Sequence, residues 1–420
     1  MRLAIFTSQF PSKVNTFFAR DVRSLLEAGV DVDVFPIYPL DASLWRWVPS
    51  VLSESLFPRE RVHHANLTEC LLTWRPWPLR RAVRFLRDAA AVNCSAIRFG
   101  ITPLAKSLYV MPLAWSWAQR YDGQYDHILS YWGNYAATCA FVANRLQARS
   151  VPFSFFLHAG TDLYRDQVYL REKLFIADNI FVVCEFNREF IRKLYPDAFE
   201  AITHKVHLHH LGLDLEEFQY SPDGRLPDRV LAVGSFSKAK GFDYLLRAIH
   251  ELRGRGTRVE LELIGDGEES GSLKRLAAEL GIAEQVIFSG WQTFERVRDA
   301  MRRATLLVHP SIGLGDAVPT VIKEAAALGL PVVGTRVAGI PELLDDGRCG
   351  CLVPPRDVQA LAGAIGRLLA DEPLRKQYSL EARRHAETML NLWANGRRLA
   401  EILGAAACSE RSHASKAAQL

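Results

Sequence analysis

Long apolar runs are absent from this 420-residue sequence, although 49% of its residues are hydrophobic. No window approaches the ~20 consecutive apolar residues that a membrane-spanning helix needs. The N-terminus carries one early Arg and a short apolar run that ends at Pro11, which is typical of a first strand and loop rather than of a signal peptide. We therefore expect a soluble, cytoplasmic protein, with peripheral contact at the inner face of a membrane left open.

Cysteine pairs and a strong net charge are also missing. The seven cysteines include no CxxC pair, and Cys349 and Cys351 stand too close together for an ordinary pair of metal ligands. An odd, scattered set is typical of buried thiols in a reducing compartment. The formal net charge of +4 gives no support for nucleic acid as a partner.

Strand-like runs and helical periods alternate in both halves of the chain, which is too long for one ordinary core. The predicted strands are Arg2 to Thr7, Val30 to Ile37, His127 to Ser130, Phe153 to Leu157, Asn179 to Val183, Val206 to His209, Val230 to Val233, Glu260 to Ile264, Val286 to Ser289 and Leu306 to His309. This alternation predicts an α/β fold with two doubly wound parallel sheets. If the two sheets face each other, ligands are expected in the cleft at the carboxyl ends of their strands.

A polar break from Gln219 to Gly224 separates the two halves. We predict an N-terminal domain over 1–218 and a C-terminal domain over 225–385. A helix over 386–404 is expected to return to the N-terminal domain, followed by a frayed tail over 405–420.

One segment of the N-terminal half, residues 73–120, differs in composition from its surroundings. It contains Trp74, Trp77, Trp115 and Trp117 together with seven basic residues before Arg120, and Asp88 is its single acid. Such a basic, Trp-containing helical insertion suits an anionic bilayer or an anionic lipid-linked acceptor. A solvated helical face that is packed through its Trp side fits the composition equally well, so both interpretations stay open.

The most informative stretch runs from 309 to 344, HPSIGLGDAVPTVIKEAAALGLPVVGTRVAGIPELL. A strand is followed by a Gly-rich loop and by a helix that is expected to begin at Pro319. The unpaired N–H groups at Thr320 and the next residue would attract a phosphate or a sugar hydroxyl. Gly313 and Gly315 allow the backbone to approach a ligand closely, because no Cβ intervenes.

Two acids belong to the same stretch. Asp316 precedes the helix and can accept hydrogen bonds from a polyol, and Glu324 lies within the helix, where it can accept bonds from a pair of ribose hydroxyls. As chemistry alone this is a site for a sugar nucleotide. Helix capping explains most acids near helix starts, however, so spacing alone favours an ordinary capped helix.

The stretch resembles the C-terminal signature of the retaining glycosyltransferases of family 4, which have the GT-B fold of two facing Rossmann-like domains. The matching residues are Pro310-Ser311, Glu324 to Ala327, Gly329, Pro331 to Val333, Gly339 to Glu342 and Gly350 to Pro354. The first acid of the signature is Asp316 here, where the family usually has Glu. The Asp side chain is one methylene shorter, so we expect its contact with the sugar to be altered.

Further matches occur in the same order along nearly the whole chain. Leu231 to Gly234 and Lys240 to Tyr244 resemble the first strand of the second domain and its phosphate-binding loop. Ile264 to Gly267, Phe288 to Trp291 and His207 to Asp214 also match. In the first half the similar stretches are Phe155 to Asp162, Cys184 to Asn187 and Asn15 to Phe17; the last is similar to the exopolysaccharide and colanic-acid branch of the family. Ser235 is a departure, because the family usually has Arg there.

The resemblance implies transfer of a sugar from a nucleoside-diphosphate sugar, with retention at the anomeric carbon, to a glycan or polyprenyl-diphosphate-linked acceptor in cell-surface polysaccharide biosynthesis. It implies no metal and no cofactor. By the same resemblance His158, Asp316 and Glu324 are expected to be catalytic, and Asn15, Thr16 and Asp162 to lie on the acceptor side. Donor binding is expected from Gly234, Ser235, Lys238, Lys240, Gly315, Val318, Pro319 and Thr320.

Two other functions remain open. An inverting GT-B transferase or a sugar-nucleotide epimerase would need a base, for which Asp21 and His158 are candidates in the N-terminal half. A third function is a non-catalytic protein that binds a sugar nucleotide as the partner of another transferase. Ser235 suggests it, because the family usually has Arg there and a lysine such as Lys238 does not reproduce the bidentate contact of Arg with a phosphate. His204, His207, His209 and His210 form a cluster, but no acid or Cys completes a metal site there.

Overall fold

The computed structural model describes the chain except residues 13–15, 49–51, 73–74, 150, 316 and 418–420, and except the side chains of Arg46, Trp47, Leu71, Thr161 and residues 409–417. Contacts divide the chain into an N-terminal unit, Met1–Gly212 with Leu392–Leu420, and a C-terminal unit, Leu213–Asn391. The division falls before the expected boundary at 218, because Leu213 and Phe218 are fully buried in a core cluster of the C-terminal unit.

The N-terminal unit is built on a parallel sheet whose described strands follow the order β2-β1-β3-β4-β5-β6. The strands are β1 (Arg2–Thr7), β2 (Asp31–Pro36), β3 (His127–Ser130), β4 (Phe153–Leu157), β5 (Asn179–Val182) and β6 (Val206–Leu208). The helices are α1 (Thr16–Glu27), α2 (Leu67–Leu72), α3 (Leu79–Ala96), α4 (Ile101–Arg120), α5 (Tyr135–Leu146), α6 (Leu170–Ile176), α7 (Glu185–Leu194) and α8 (Pro196–Ile202). Apolar strands such as β4 are buried along their whole length, as expected for a parallel sheet covered on both faces.

The C-terminal unit repeats this architecture in the order β12-β11-β10-β7-β8-β9. Its strands are β7 (Arg229–Val233), β8 (Glu260–Ile264), β9 (Val286–Gly290), β10 (Leu306–His309), β11 (Val332–Thr335) and β12 (Cys351–Val353). Its helices are α9 (Phe242–Gly254), α10 (Ser270–Glu279), α11 (Phe294–Arg303), α12 (Thr320–Ala327), α13 (Ile340–Leu343), α14 (Val358–Ala370) and α15 (Glu372–Met389). The predicted fold class, two doubly wound parallel sheets, is confirmed.

The last helix, α16 (Leu392–Ala417), packs on the N-terminal unit. The Nδ1 atom of His127 on β3 lies 3.1 Å from the Leu403 carbonyl oxygen, and a Cβ on Gly396 would overlap Ser24 of α1. The helix begins six residues later than expected. It also continues through Ala417. The fraying expected from 405 onward stays a prediction.

The insertion is a pair of helices, α3 and α4, as its composition predicts. Its Trp residues point inward, however: Trp115 and Trp117 are buried in the core cluster, and Trp77 packs against the same cluster. Trp74 lies outside the described residues. The membrane interpretation therefore gains no support from its Trp side chains.

The thiols follow the expectation of burial only in part. Cys70, Cys139, Cys184 and Cys349 are buried, whereas Cys94 and Cys408 are exposed and Cys351 is half-buried. No helix among the described residues combines the length and apolar character that crossing a bilayer requires.

Candidate active site

The strand order of the C-terminal unit changes direction between β7 and β10, which are neighbours in the sheet. Ligands of open α/β sheets bind outside the carboxyl ends of the strands at such a point. The loop after β7 contains Gly234 and Lys240, and the loop after β10 contains Gly315 and Pro319. The two parts of the predicted donor site are therefore brought to one edge of one sheet.

A backbone contact joins the two loops. Gly241 has φ of 65°, and a Cβ there would overlap the Pro310 carbonyl oxygen. The N–H of Ile312 donates to the Ala239 carbonyl at 2.9 Å. Only a residue without a side chain fits position 241, since both the dihedral angle and the close approach demand glycine.

The predicted phosphate ligands on the first loop differ in their setting. Lys240 is half-buried and extends across Gly234, where a Cβ would lie 3.8 Å from the lysine Cε. Lys238 and Ser235 are exposed. Of the two lysines, Lys240 is therefore the one that lies along the end of β7.

Helix α12 begins at Thr320, with Pro319 as its N-cap rather than as its first helical residue. Pro319 has no side-chain oxygen that could accept a hydrogen bond. The first N–H groups of the helix therefore have no side-chain acceptor from the N-cap residue. Val318 is half-buried, and a Cβ on Gly315 would lie 3.5 Å from Ala239 on the opposite loop. Glu324 is buried, with 6% of its surface exposed. Asp316 lies outside the described residues.

Hydrogen bonds hold the α12 loop on its other side as well. The Gly339 N–H donates to the Ala317 carbonyl at 2.9 Å, and the Thr335 hydroxyl donates to the Ser311 carbonyl at 2.6 Å. The loop that carries Val318 is thus fixed between β11 and the residues after β7, which is the pre-organisation that a ligand site needs.

In the N-terminal unit, His158 follows β4 and is buried among aromatic rings. The ring centroids of Phe17, Tyr131, Trp132 and Phe156 lie 4.7–5.6 Å from that of the imidazole. Its Nε2 lies 2.8 Å from the Tyr131 carbonyl oxygen, to which it donates.

Asp162 and Lys173 are two buried titratable residues of the same region. Lys173 donates through Nζ to the Gly133 carbonyl at 2.7 Å and to the Thr138 hydroxyl at 3.2 Å. Burial raises the pKa of the Asp162 carboxyl to about 8, although nearby backbone N–H groups and Lys173 act in the opposite direction. Neither carboxyl oxygen of Asp162 has a partner of ordinary hydrogen-bond geometry among the described residues. Burial lowers the pKa of Lys173 to about 7.

Asp21, the alternative base, is engaged in a buried contact. It accepts a hydrogen bond from the Tyr131 hydroxyl at 2.6 Å and lies 3.3 Å from Nε2 of His209, and only 2% of its surface is exposed. Nε2 of His207 on β6 lies 3.0 Å from Oδ1 of Asn179. His207 and His209, which follows the end of β6, therefore both have partners within the protein. Within the described residues no group of three or more His, Cys, Asp or Glu is placed to hold a metal ion.

Two residues of the N-terminal site, Asn187 and Lys173, are assigned no role from the sequence. Asn187 donates to the backbone carbonyls of Leu157 at 2.9 Å and His158 at 2.5 Å, so the Cys184 to Asn187 motif holds the His158 loop. Lys173 carries no motif at all. Thr16 is the half-buried first residue of α1, and Asn15 lies outside the described residues.

Comparison with known proteins shows which family part of the chain matches. Residues 227–371 match the model of the glycosyl transferases group 1 family. The chain is 27% identical to the amylovoran biosynthesis glycosyltransferase AmsK of Erwinia amylovora, over 96% of this chain and 99% of that protein. A GDP-mannose-dependent α-(1-6)-phosphatidylinositol monomannoside mannosyltransferase of Mycolicibacterium smegmatis is 34% identical, over 53% of this chain and 62% of that protein.

Solved structures show the same fold. The crystal structure of Anabaena HepE in complex with UDP-glucose matches with a TM-score of 0.66 at 17% identity, covering 96% of this chain and 100% of the other. These similarities confirm the resemblance that the motifs indicate. The chain has the GT-B fold, and its residues 227–371 match the group 1 glycosyltransferase family.

Proposed function

We propose that this protein transfers a hexose from a nucleoside-diphosphate sugar, with retention of anomeric configuration, to a glycan or lipid-linked acceptor during the synthesis of a surface polysaccharide. The observation that carries the proposal is the pair of backbone-linked loops at the switch point of the C-terminal unit, with Lys240 and the start of α12 beside them. The name of AmsK, similar over nearly its whole length, supports the polysaccharide assignment. The UDP-glucose bound to HepE supports a nucleotide-sugar donor.

The donor is bound chiefly through its diphosphate in this proposal. Lys240 supplies a positive charge along the end of β7, and the first N–H groups of α12 supply donors and the positive end of the helix dipole. Glu324 accepts hydrogen bonds from the ribose, and Asp316 from the sugar. No metal ion is needed, because these groups compensate the charge of the diphosphate.

Retention follows from the same arrangement. The leaving phosphate oxygen accepts the proton of the acceptor hydroxyl on the face that it vacates, while the protein stabilises the charge that develops on the diphosphate. His158 keeps in this proposal the role that the resemblance implies for it, at the sugar or the β-phosphate. Inversion would need a separate carboxylate base, and Asp21 is a poor candidate because it is buried against Tyr131 and His209.

A panel of nucleotide sugars tests the donor by thermal shift. A ligand at a hundred times its Kd stabilises the folded state by ~2.7 kcal/mol, which is readily measured. The best donor is then incubated with lipid-linked or glycan acceptors, and NMR of the product gives the anomeric configuration. An inverted product would refute retention, and a panel without any shift would refute the donor class.

Ser235 favours a second candidate, a sugar-nucleotide-binding partner that does not catalyse transfer. The side chain at this position is exposed and cannot pair with a phosphate as a guanidinium does. This candidate predicts donor binding, with slow donor hydrolysis at most, and no product with any acceptor. Transfer by the purified chain would exclude it.

A further inference from the structure

Helix α3 carries a row of exposed apolar residues on its outer face. Their spacing of three or four positions places them on one side of the helix. They are Leu79, Val83, Leu86, Ala90 and Cys94, and Ile97 directly after the end of the helix continues the row. Leu79 and Leu86 are 79% and 66% exposed. The opposite face of α3 is apolar too, since Val92 and Ala96 are buried in the core of the N-terminal unit.

The row continues through the turn into α4. Phe99 and Ile101, on either side of Gly100, are 40% and 87% exposed, and Leu108 on α4 is 53% exposed. Single exposed apolar residues are ordinary on a protein surface, but a contiguous row of this length marks an interaction surface. We define the docking face as this row together with Phe99, Ile101 and Leu108.

A row of arginines runs beside the docking face, and its members Arg80, Arg84, Arg87 and Arg98 are all exposed. Arg84 also donates to the Arg145 carbonyl at 2.8 Å. Asp88, the one acid in the sequence between 75 and 108, is buried and paired with Arg145 at 2.6 Å. Two acids on neighbouring segments are held by other arginines, Asp122 by Arg81 and Glu69 by Arg120. The charge presented around the docking face is therefore positive.

We propose that the docking face binds the surface of a bilayer that contains anionic phospholipids. The apolar row lies among the headgroups and upper acyl chains, and the arginines contact lipid phosphates, which is the arrangement of interfacial amphipathic helices. Helix α3 lies along the membrane in this arrangement and does not cross it. The docking face consists of apolar residues, among which Phe99 is the one aromatic, and it is flanked by arginines, whereas Trp77, Trp115 and Trp117 of the same segment pack inward. The proposal goes beyond sugar transfer and does not depend on it.

Vesicle co-sedimentation of the full chain tests the proposal. Vesicles of phosphatidylcholine alone are compared with vesicles of equal parts phosphatidylglycerol and phosphatidylcholine, at low and at physiological salt. We expect binding to the anionic vesicles that weakens as salt rises, because screening shortens the range of the arginine charges. Equal binding to both kinds of vesicle, or none to either, would overturn the proposal.

Two sets of variants separate charge from apolar contact. Replacing Arg80, Arg87 and Arg98 by Gln should lower partitioning onto anionic vesicles by about a hundredfold, since each arginine near such a surface contributes about fivefold. Replacing Leu79, Leu86 and Ile101 by Ser should lower it by more than about tenfold without changing the net charge. The matched controls change exposed residues of the C-terminal unit: Arg258, Arg303 and Arg356 to Gln, and Ile287 and Leu380 to Ser.

The controls should bind as the wild type does, and equal losses in controls and test variants would overturn the assignment to this face. Circular dichroism checks that all variants are folded. Sedimentation without lipid tests a second copy of the chain as the occupant. Self-association that disappears in the Leu79, Leu86 and Ile101 variant, without vesicle binding by the wild type, would replace the membrane by a protein interface.

Discussion

In the C-terminal unit, the loops that follow β7 and β10 contact each other through backbone atoms, as Gly241 against Pro310 shows. In the N-terminal unit, the segments around β3 and β4 are joined by buried side chains, among them His158, Lys173 and Asn187. The backbone contact at Gly241 requires a residue without a side chain, and it involves no titratable group. A buried side-chain network tolerates more sequences but couples the local structure to pH. The two units therefore differ in what a substitution can damage.

The largest effect is expected from Glu324→Ala, which should abolish transfer while the protein stays folded. Glu324 is buried within α12, and its proposed role is to bind ribose rather than to pack. Initial rates with the best donor measure the loss, and circular dichroism checks the fold. Glu324→Gln keeps the volume of the side chain and serves as the control for packing. Near-normal turnover by the Ala variant would remove the central claim about the donor site.

Substitution of Gly241 tests whether backbone contact is what builds the C-terminal site. Gly241→Ala should lower the free energy of unfolding by about 2–4 kcal/mol, because the left-handed dihedral and the overlap with Pro310 both add strain. Gly254→Ala is the matched control, since a Cβ there meets nothing within 4 Å. Denaturant unfolding of both variants decides the point, and equal stability would mean that the loops can separate at little cost.

The N-terminal unit should respond to pH through Asp162. Because burial raises the pKa of this carboxyl to about 8, the folded state keeps a proton that the unfolded chain loses near pH 4. The contribution to stability is therefore complete below pH 4 and is lost as pH rises towards 8, at about 1 kcal/mol per pH unit. Lys173, whose pKa burial lowers to about 7, acts in the opposite direction above pH 7. His127, whose pKa burial lowers to about 4, acts in the opposite direction between pH 4 and about 6.5, so the contribution of Asp162 is the difference between the wild type and a variant without this carboxyl.

Asp162→Asn should remove this fall in stability. Unfolding of wild type and variant in urea at several pH values measures it. Parallel curves for the two proteins between pH 4 and 7 would contradict the assignment to Asp162.

A smaller effect is expected at the phosphate. Lys240→Ala should weaken binding of a nucleoside diphosphate by roughly ten- to a hundredfold, since a charge-assisted hydrogen bond contributes ~1.5–3 kcal/mol. Lys238→Ala, which removes the same charge from an exposed position, is the control and should change affinity less. Calorimetry compares the two. If Lys240→Ala binds as tightly as wild type, the phosphate lies elsewhere.

The smallest effect is expected from Ser235→Arg, which restores the residue usual in the family. A guanidinium at this exposed position should tighten nucleoside-diphosphate binding by about fivefold, because it pairs with phosphate through two parallel hydrogen bonds. Ser235→Lys adds the charge without the planar fork and should give a smaller gain. An unchanged Kd for the Arg variant would show that position 235 does not face the diphosphate.

The fold was predictable from the sequence because its signals are local. The apolar runs at Arg2 to Thr7 and Leu306 to His309 are strands with those bounds, and the Gly and Pro residues around 310–319 lie in the loop that they indicate. Asp316 and Asn15 lie outside the described residues, so the roles predicted for them stay predictions.

What the sequence could not disclose depends on contacts between distant residues. Lys173 meets Gly133 across forty positions of chain, and no motif marks it. The apolar row on α3 shows a helical period like that of any buried face, and since both faces of this helix are apolar, only the packing tells which one is exposed. The same limit explains why the sequence left open whether the tryptophans of this segment face a membrane or pack inward, as Trp77, Trp115 and Trp117 do in the structure.

Helix α16 has a consequence for how the chain folds as it is made. The helix belongs to the N-terminal unit but follows the whole of the C-terminal unit in sequence. During synthesis at about 5–20 residues per second, the surface of α1 that α16 covers stays open for on the order of ten seconds after Gly212 has been made. Burial of His127 against Leu403 likewise waits for the end of the chain. A ribosome that stops within the C-terminal unit would thus release an N-terminal unit that lacks its final helix, a product that chaperones and proteases can recognise by its uncovered apolar surface.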